Sequence, residues 1–392
     1  MTKNSISVLN TGNSVDVIKA LQKVCLHIMK DLEKGQKPLI LSTKESADNA
    51  VYDQKVGFFV PGDKKLTIEL NVSSIKKMTR MLYMAKILIR QLEKGEVATL
   101  RECYYIAKGN IKGTPSLKPM DFTDQAECDA VIAELCAMVE AYREDFNVVA
   151  NEKSGLTWSN ALIITETLPD GEKVVLDLST MGKTPFMPQN KPQDLELKIK
   201  KGKKIDYVLV IESEGSANSL VRNKFLDRNN AIIVALGGQP SMATRGWLKK
   251  IQDQLKVPIY IFTDLDAYSV TILRAVKAGA YNSLIRSKDF SAPDVKFLGV
   301  LPEDIKKYDL DFYKVNDKDP SESRALKRAE DLLKNDPFFK DKKNKKYRDI
   351  LDWLLSEKIR CEQQSYIGYK AKNDVNGMEF IITDKIKRGN FI

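Results

Sequence analysis

The chain has 392 residues, of which 43% are hydrophobic and 30% are charged, a composition typical of a globular protein with two or three domains. No apolar run approaches the ~18 residues of a membrane span, and the first residues lack the apolar core of a secretory signal. The sequence therefore favours a cytoplasmic protein over a membrane or secreted one.

Basic residues outnumber acidic residues by 63 to 53, which gives a net charge of +10. A basic surplus favours a polyanionic partner such as DNA, because each phosphate contact releases condensed counterions. Part of the surplus lies in two lysine runs, at residues 198–204 and 340–348, which are also compatible with solvated loops. Within the first run, the candidate DNA contacts are Lys200, Lys201 and Lys203.

The chain contains five cysteines and a single histidine, His27. No two cysteines are spaced as C-x-x-C, so the sequence has no zinc motif, and their scatter is typical of reduced thiols. With one histidine, which lies in a predicted amphipathic helix, a histidine–metal cluster and a Ser-His-Asp triad are both disfavoured. Any enzymatic chemistry must therefore depend on other side chains.

The front of the chain is predicted to be mainly helical, because apolar residues recur there at three- and four-residue steps. The three predicted helices span residues 13–33, 73–94 and 124–143. Residues 38–70 alternate short apolar runs with Gly and Asp, which indicates strands and turns. Two strand-like segments follow, at residues 161–166 and 173–178. Helices followed by a small hairpin are typical of a winged-helix module.

The rear of the chain has a different pattern, which begins after a predicted linker at residues 180–204, with three prolines and the first lysine run. Four continuous apolar runs then alternate with helical stretches, which predicts a parallel sheet covered on both faces. These runs are residues 207–211, 231–236, 259–262 and 297–301. Beyond residue 321 the chain is predicted to be helical, apart from one strand signal at residues 379–383.

Three acidic residues fall at the ends of predicted parallel strands. Glu212 follows the first apolar run, and Asp264 and Asp266 follow the third. In open parallel sheets, ligands bind beyond the carboxyl ends of the strands, and carboxylate oxygens with retained waters suit Mg²⁺. The acids are therefore candidate metal ligands, although ordinary helix N-caps explain the same pattern.

A glycine pair and an arginine follow the second strand. Gly237 and Gly238 allow close approach of a backbone or a phosphate, and Arg245 could bind a phosphate or a carboxylate through two parallel hydrogen bonds. A plain strand–helix turn followed by a surface arginine is the alternative.

Tyr105 is the candidate nucleophile. It lies on a short helix that begins with a capping box formed by Thr99 and Glu102. A phenol has an ordinary pKa near 10 and needs a cation or a base to attack at neutral pH. Arg101, four residues earlier on the same face, could supply the cation. Two packed aromatics, Tyr104 and Tyr105, are the alternative interpretation.

Four segments together resemble motifs of the family that contains Spo11 and the A subunit of topoisomerase VI. LRECYY at 100–105 is similar to the family's catalytic-tyrosine motif, and VIESE at 210–214 to its first Toprim motif. GQPSMATR at 238–245 resembles the signature GYPDxATR, and TDLDAY at 263–268 resembles the metal motif DxDPYG. Softer likenesses at 298–304 and 358–364 extend the resemblance from about residue 38 to the end.

The resemblance implies the A subunit of a type IIB DNA topoisomerase that relaxes supercoils. In such an enzyme Tyr105 attacks a phosphate with help from Arg101, while Glu212, Asp264 and Asp266 of the other subunit of a homodimer hold Mg²⁺. Transient double-strand breaks with 5′-phosphotyrosyl links follow, and a second duplex passes through. Because no G-x-x-x-x-G-K-[ST] motif occurs here, ATP would bind a separate GHKL-type B subunit in an A2B2 assembly.

The implied architecture is mixed α/β, with a winged-helix (CAP-like) DNA-binding and cleavage domain followed by a Toprim domain with a Rossmann-like parallel sheet. The expected divisions are an N-terminal helix and extension with a possible partner contact, the winged-helix domain, a basic linker, and the Toprim domain with a helical elaboration. They span residues 1–70, 71–180, 181–204 and 205–392.

The motifs depart from the family at four positions without losing a charged group. Gln239 and Ser241 replace the usual Tyr and Asp, and Ala267 and Ser269 replace the usual Pro and Gly. Three other functions stay open on the sequence: a Spo11-like break-maker without strand passage, a Toprim nuclease that uses water, and a non-catalytic DNA-binding scaffold.

Overall fold

The computed structural model describes residues 14–109, 122–149, 154–168, 171–188, 195–316, 319–368 and 376–392. The chain divides into two compact units. The first contains Met1–Asn49 and Pro61–Asn151, and the second contains Ala50–Val60 and Glu152–Ile392. In this division a short stretch of the front, Ala50–Val60, groups with the rear of the chain. None of the described helices combines the length and apolarity needed to span a bilayer.

The described residues of the front of the chain form four α-helices and six short strands. In chain order these are α1 (Ser14–Glu33), β1 (Leu39–Thr43), β2 (Ala50–Asp53), β3 (Phe58–Pro61), β4 (Lys65–Glu69), α2 (Ile75–Glu93), β5 (Ala98–Thr99), α3 (Leu100–Ala107), α4 (Gln125–Val139) and β6 (Val148–Val149). Helices α1, α2 and α4 confirm the three predicted helices, with shifts of one or two residues except at the end of α4.

The first unit is built around a core of its own, to which α1, α2 and α4 all contribute. Buried residues of α1 recur at three- and four-residue steps, as expected for an amphipathic helix: Val17, Leu21, Val24 and Ile28. Helix α4 ends four residues before its predicted end, because Glu140 adopts a left-handed conformation with φ of 53°. Strands β1 and β4 pair antiparallel, and β5 and β6 pair parallel.

The next part of the chain alternates strands and helices. It contains β7 (Leu156–Ser159), β8 (Leu162–Thr167), β9 (Lys173–Asp177), β10 (Leu195–Ile199), β11 (Tyr207–Ile211), α5 (Glu214–Arg222), α6 (Phe225–Arg228), β12 (Ala231–Ala235), α7 (Met242–Leu255), β13 (Ile259–Phe262), α8 (Ala267–Ala278), α9 (Ser287–Phe290) and β14 (Lys296–Gly299).

A five-stranded sheet in the order β14-β13-β11-β12-β7 forms the centre of the second unit. The four predicted strands are parallel, and every residue of β11, β12 and β13 is buried, as their continuous apolar runs predicted. Strand β7 adds an antiparallel edge, so the sheet is mixed. The parallel arrangement places the carboxyl ends of β11 and β13 side by side.

A second sheet, in the order β10-β8-β9, is antiparallel and contains the predicted hairpin. This hairpin, suggested as the wing of the front module, belongs to the rear compact unit. Strand β10 lies inside the segment predicted as a linker, and that part of the prediction is wrong. Leu195 and Leu197 of β10 are buried, and this periodicity of two explains why a strand forms there. Residues 189–194 of the segment, with Pro192, lie outside the described residues.

The C-terminal part is mostly helical. It contains α10 (Pro302–Lys307), β15 (Tyr313–Lys314), α11 (Pro320–Asn335), α12 (Pro337–Lys340), α13 (Lys345–Glu357), β16 (Ile359–Arg360) and α14 (Gly377–Arg388). The strand expected at residues 379–383 is wrong, because these residues lie within α14. Asn376 caps that helix and Gly389 follows it, so local start and stop signals outweigh the short apolar run.

Candidate active site

The site lies at the carboxyl edge of the five-stranded sheet. Glu212 follows β11 directly, and Asp264 comes two residues after β13. Because Ile211 pairs in register with Phe262 on the neighbouring strand, the two acids emerge at the same edge. The structure thus places Glu212 and Asp264 close together, as the two apolar strands before them predicted.

Glu212 is held by two donors that reach the same carboxylate oxygen. The backbone N–H of Asp264 donates to Oε2 over 3.3 Å, and the hydroxyl of Ser269 donates to it over 3.0 Å. On the neighbouring strand, Oδ1 of Asp264 accepts the backbone N–H of Gln363 at 2.9 Å. Gln363 reaches the site because Cys361 forms a backbone bridge with Leu265.

Burial and repulsion between carboxylates raise the pKa values of both Glu212 and Asp264. Burial, followed by repulsion from the neighbouring carboxylates Asp264 and Asp266, raises the pKa of Glu212 to about 7 against the opposing effect of the two hydrogen bonds. Burial also raises the pKa of Asp264, while the N–H of Gln363 opposes the shift. Two neighbouring carboxyl groups with raised pKa values in a cleft mark a candidate functional site.

Asp266 is engaged differently from the other two acids. It is the N-cap of α8, and its Oδ1 accepts the backbone N–H of Ser269 at 2.7 Å. It also lines a separate, mainly apolar pocket of about 230 Å³, together with Tyr268 and Leu354. The helix-cap interpretation therefore holds for Asp266, and its role as a cation ligand stays a prediction.

An open cleft of about 430 Å³ exposes the acid pair to solvent. Its lining residues are Glu212, Ser213, Glu214, Gly237, Gly238, Asp264, Gln363 and Gln364. Gly237 has φ of +66°, and a Cβ there would lie 2.9 Å from Oε1 of Glu214. The glycine therefore makes room for the carboxylate of Glu214, which also lines the cleft.

The described residues contain no group of three His, Cys, Asp or Glu side chains arranged to hold a metal ion unaided. The donor set nevertheless fits a hard cation, because oxygen ligands from Glu212 and Asp264 line an open cleft and repel each other. Mg²⁺ is commonly held by one or two carboxylates, and water and substrate phosphates complete its coordination. The residues therefore suit a Mg²⁺ ion that binds together with a phosphate.

Tyr105 lies on α3, whose start is fixed by the predicted capping box. The Thr99 hydroxyl accepts the N–H of Glu102 at 3.2 Å, and the Glu102 carboxylate accepts the N–H of Thr99 at 2.6 Å. Cys103 and Ala107 bury one side of the helix, whereas Tyr105 is 36% exposed. The guanidinium carbon of Arg101 lies 5.9 Å from the Tyr105 ring centroid.

Tyr104 has different surroundings from Tyr105. Lys108 donates to its hydroxyl over 3.0 Å, and the Tyr104 side chain is partly buried against the core of the first unit. The two tyrosine rings also contact each other, with centroids 5.4 Å apart. Of the pair, Tyr105 is the side chain that is more exposed to solvent.

Arg245 is buried in α7 and only 5% exposed. Burial, with a smaller contribution from Arg274, lowers its pKa to about 10. This placement inside the unit does not support the predicted DNA contact. Ser241 starts α7 by accepting the N–H of Thr244 at 3.1 Å, so it supplies the cap that the usual Asp would supply.

The three candidate DNA-contacting lysines differ in their partners. Lys200 is paired with Asp177 at 2.7 Å and also donates to the hydroxyl of Ser179. Lys201 and Lys203 are exposed in the turn after β10. The latter two are therefore the better placed for a phosphate.

Comparison with known proteins gives consistent matches. The family model for the Toprim domain of Spo11 and the A subunit of topoisomerase 6 matches residues 207–377, and the Type IIB DNA topoisomerase model matches residues 76–148. The A subunit of type 2 DNA topoisomerase 6 from Methanocaldococcus jannaschii is 33% identical over 351 residues, which cover 88% of this chain and 89% of that protein. The proteins of the same name from Halobacterium salinarum and Pyrococcus abyssi are 30% and 28% identical over 80% and 96% of this chain, and over 84% and 95% of their own lengths.

Proposed function

The chain belongs to the family of Spo11 and type IIB DNA topoisomerase A subunits, and on this premise we propose that it breaks and reseals double-stranded DNA through Tyr105. The observation that carries the proposal is the acid pair Glu212 and Asp264 in an open cleft at the carboxyl edge of the parallel sheet. A pair of repelling carboxylates open to solvent suits a cation that arrives with a phosphate.

Tyr105 would perform the covalent step. Its phenolic hydroxyl gives up its proton to solvent as the oxygen attacks a backbone phosphorus, a bond from that oxygen to phosphorus forms, and the bond from phosphorus to the 3′-oxygen breaks. The 3′-oxygen leaves and takes up a proton, so the new end is a 3′-hydroxyl. The chain stays linked to the 5′-phosphate, and the reverse attack reseals the strand. Arg101 would orient the phosphate beside the ring.

Glu212 and Asp264 would hold a Mg²⁺ ion, with Asp266 or Glu214 as a further ligand. When bound, the cation would offset negative charge on the phosphate and on the leaving oxygen. The chain's own contribution is to keep the two carboxylates close and oriented before the substrate arrives. We propose that the acids of one subunit serve the tyrosine of its partner in a homodimer, which is an expectation of the family resemblance.

The A subunit of topoisomerase VI works on DNA and with a B subunit, so both partners are expected for this chain. We propose that two A and two B subunits assemble at chromosomal DNA in the cytoplasm, and that the B subunits bind ATP. Helix α1 is the candidate docking element, because its apolar residues Leu26, Met29 and Leu32 are about half exposed.

The proposal is tested by trapping the cleavage complex with plasmid DNA and Mg²⁺ and mapping the linked residue by mass spectrometry. The adduct is expected on Tyr105, and Tyr105→Phe should lose at least about a thousandfold of cleavage, since no other group replaces a covalent nucleophile. Tyr104→Phe is the matched control and should retain covalent linkage.

Other outcomes separate the rival functions. Cleavage that survives in Tyr105→Phe without attached protein would identify a nuclease that uses water. Covalent breaks without relaxation of supercoils, in the presence of ATP and a B subunit, would identify a break-maker like Spo11. An adduct on Tyr104 would overturn the site assignment.

A further inference from the structure

Ser269 contributes a buried hydroxyl to the acid pair, at a position where the family signature usually carries glycine, which has no such donor. It is fully buried in the first turn of α8, and its hydroxyl donates to Oε2 of Glu212 over 3.0 Å. Its backbone N–H binds Asp266, so the residue contacts two acids through two different groups.

Both donors to Glu212 fall on one oxygen. Ser269 and the N–H of Asp264 reach Oε2, and no described residue donates to Oε1. Two bonds at one oxygen fix the rotation of the carboxylate about its last torsion, which is otherwise broad. Glu212, which lines the cleft, thereby has one oxygen anchored to the protein and the other without a donor among the described residues.

We propose that Ser269 is a positioning residue that holds Glu212 in the orientation needed to bind a divalent cation. This inference rests on the proposed function for the identity of the cation site and adds a residue to it. An anchored carboxylate binds a cation without first losing rotational freedom, whereas a free one must be ordered on binding. Because the Ser269 hydroxyl donates to Glu212, it acts through that carboxylate.

The test measures cation binding directly and without DNA. The full chain is titrated with Mn²⁺, and free Mn²⁺ is followed by electron paramagnetic resonance. Ser269→Ala is expected to weaken Mn²⁺ binding about tenfold, the lower end of what partners of metal ligands contribute. In DNA cleavage, the half-saturating Mg²⁺ concentration should rise by the same factor, with the rate at saturating Mg²⁺ within about threefold of the parent chain.

Three further variants sharpen the result. Ser269→Gly also lacks the hydroxyl and should behave like Ser269→Ala, whereas Ser269→Thr keeps the hydroxyl and should restore binding. Ser287→Ala is the matched control, because Ser287 is equally buried in the same unit and its hydroxyl donates to the carbonyl of Ser283 at 3.2 Å. It should leave Mn²⁺ binding unchanged.

The inference is overturned if Ser269→Ala and Ser269→Gly bind Mn²⁺ as tightly as the parent chain, or if Ser287→Ala weakens binding equally. Failure of the proposed function has a different signature. There the parent chain forms no covalent link to DNA through Tyr105, whatever the Mn²⁺ titration of Ser269→Ala shows.

Discussion

At the scale of single residues, burial and repulsion between the carboxylates of the acid pair lower the stability of the folded protein when both are ionised. Glu212 has its pKa raised from 4.5 to about 7, so the folded state binds a proton more tightly than the unfolded state. The stability that this proton contributes is complete below pH 4.5 and is lost as the pH rises through 7. Above pH 7 the cation-free protein therefore carries an unfavourable charge at the cleft.

Replacing that charge should stabilise the protein and abolish its activity. We expect Glu212→Gln to raise the free energy of unfolding by about 1–2 kcal/mol at pH 8 in EDTA, because each pKa unit is worth about 1.4 kcal/mol before solvent screening. At pH 4 the two proteins should be equally stable. Urea unfolding at both pH values measures the difference, and the exposed-turn variant Lys201→Gln serves as a control. A Glu212→Gln protein that is less stable at pH 8 would contradict this account of the pKa.

Some residues of the candidate site could be predicted from the sequence alone, and others could not. Glu212 and Asp264 were predictable, because each follows a continuous apolar strand and parallel strands end at a common edge. Gln363 was not, since it lies 99 residues from Asp264 and approaches it only through the bridge between Leu265 and Cys361. Asp266 was predicted beside the other two, but its carboxylate is also the N-cap of α8, and the pattern D-x-D is the same in both roles.

At the scale of elements, three segments converge on one buried carboxylate in the second unit. Asp304 of α10 forms an ion pair with Lys385 of α14, and both side chains are fully buried. It also accepts the hydroxyl of Tyr366 at 2.7 Å and the N–H of Leu301 at 2.8 Å. Tyr366 follows the cleft residue Gln363 in a short 3-10 helix, Gln363–Gly368. The ion pair therefore joins α10 to α14, and the hydrogen bond from Tyr366 joins both helices to the segment whose Gln363 binds Asp264.

Asp304→Asn should be strongly destabilising. It leaves the Lys385 ammonium buried without a counter-charge, and the loss of one partner of a buried pair costs about 3–5 kcal/mol. The double variant Asp304→Asn with Lys385→Met removes both charges and should recover more than half of the loss. Thermal and urea unfolding would measure the recovery. As a control, Arg388→Ala breaks an exposed pair with Asp384 and should change stability by less than about 0.5 kcal/mol.

The helices and parallel strands followed their sequence patterns because each pattern repeats over many residues, as in α1 and β11. The sequence patterns gave the wrong secondary structure for short segments, where packing against the rest of the fold decides whether a helix or a strand forms. Residues 379–383 contain an apolar run of strand length, but Met378, Ile381 and Ile382 are buried at helical spacing within α14. Strand β10 was missed because prolines and lysines surround its alternating leucines.

At the scale of the whole molecule, the apolar stripe of α1 is a candidate contact with the B subunit. Leu26, Met29 and Leu32 recur every three residues and are about half exposed, whereas Val17, Leu21, Val24 and Ile28 of the same helix are buried. We expect Leu26→Asp with Met29→Asp to weaken B-subunit binding by about tenfold or more, or ~1.4 kcal/mol. Val175→Asp, a matched change at an exposed valine of β9, should not.

The measurement is the affinity for the B subunit by calorimetry, together with covalent DNA cleavage by this chain without its partner. The α1 variant should lose ATP-dependent relaxation and keep cleavage. Unchanged affinity for the B subunit would exclude this stripe as the contact.

Residues 50–60, which include most of β2 and β3, belong to the second unit, and this matters for the design of fragments of the protein. Phe59 is fully buried there against Tyr281, and Tyr52 packs on Phe338. A fragment that starts at residue 152 would lack Tyr52 and Phe59. Tyr281 and Phe338 would lose these aromatic neighbours, although the fragment would contain every residue that lines the acid cleft. Expressing the rear half as a stable piece therefore calls for residues 50–60 to be supplied as a peptide or grafted on through a new linker.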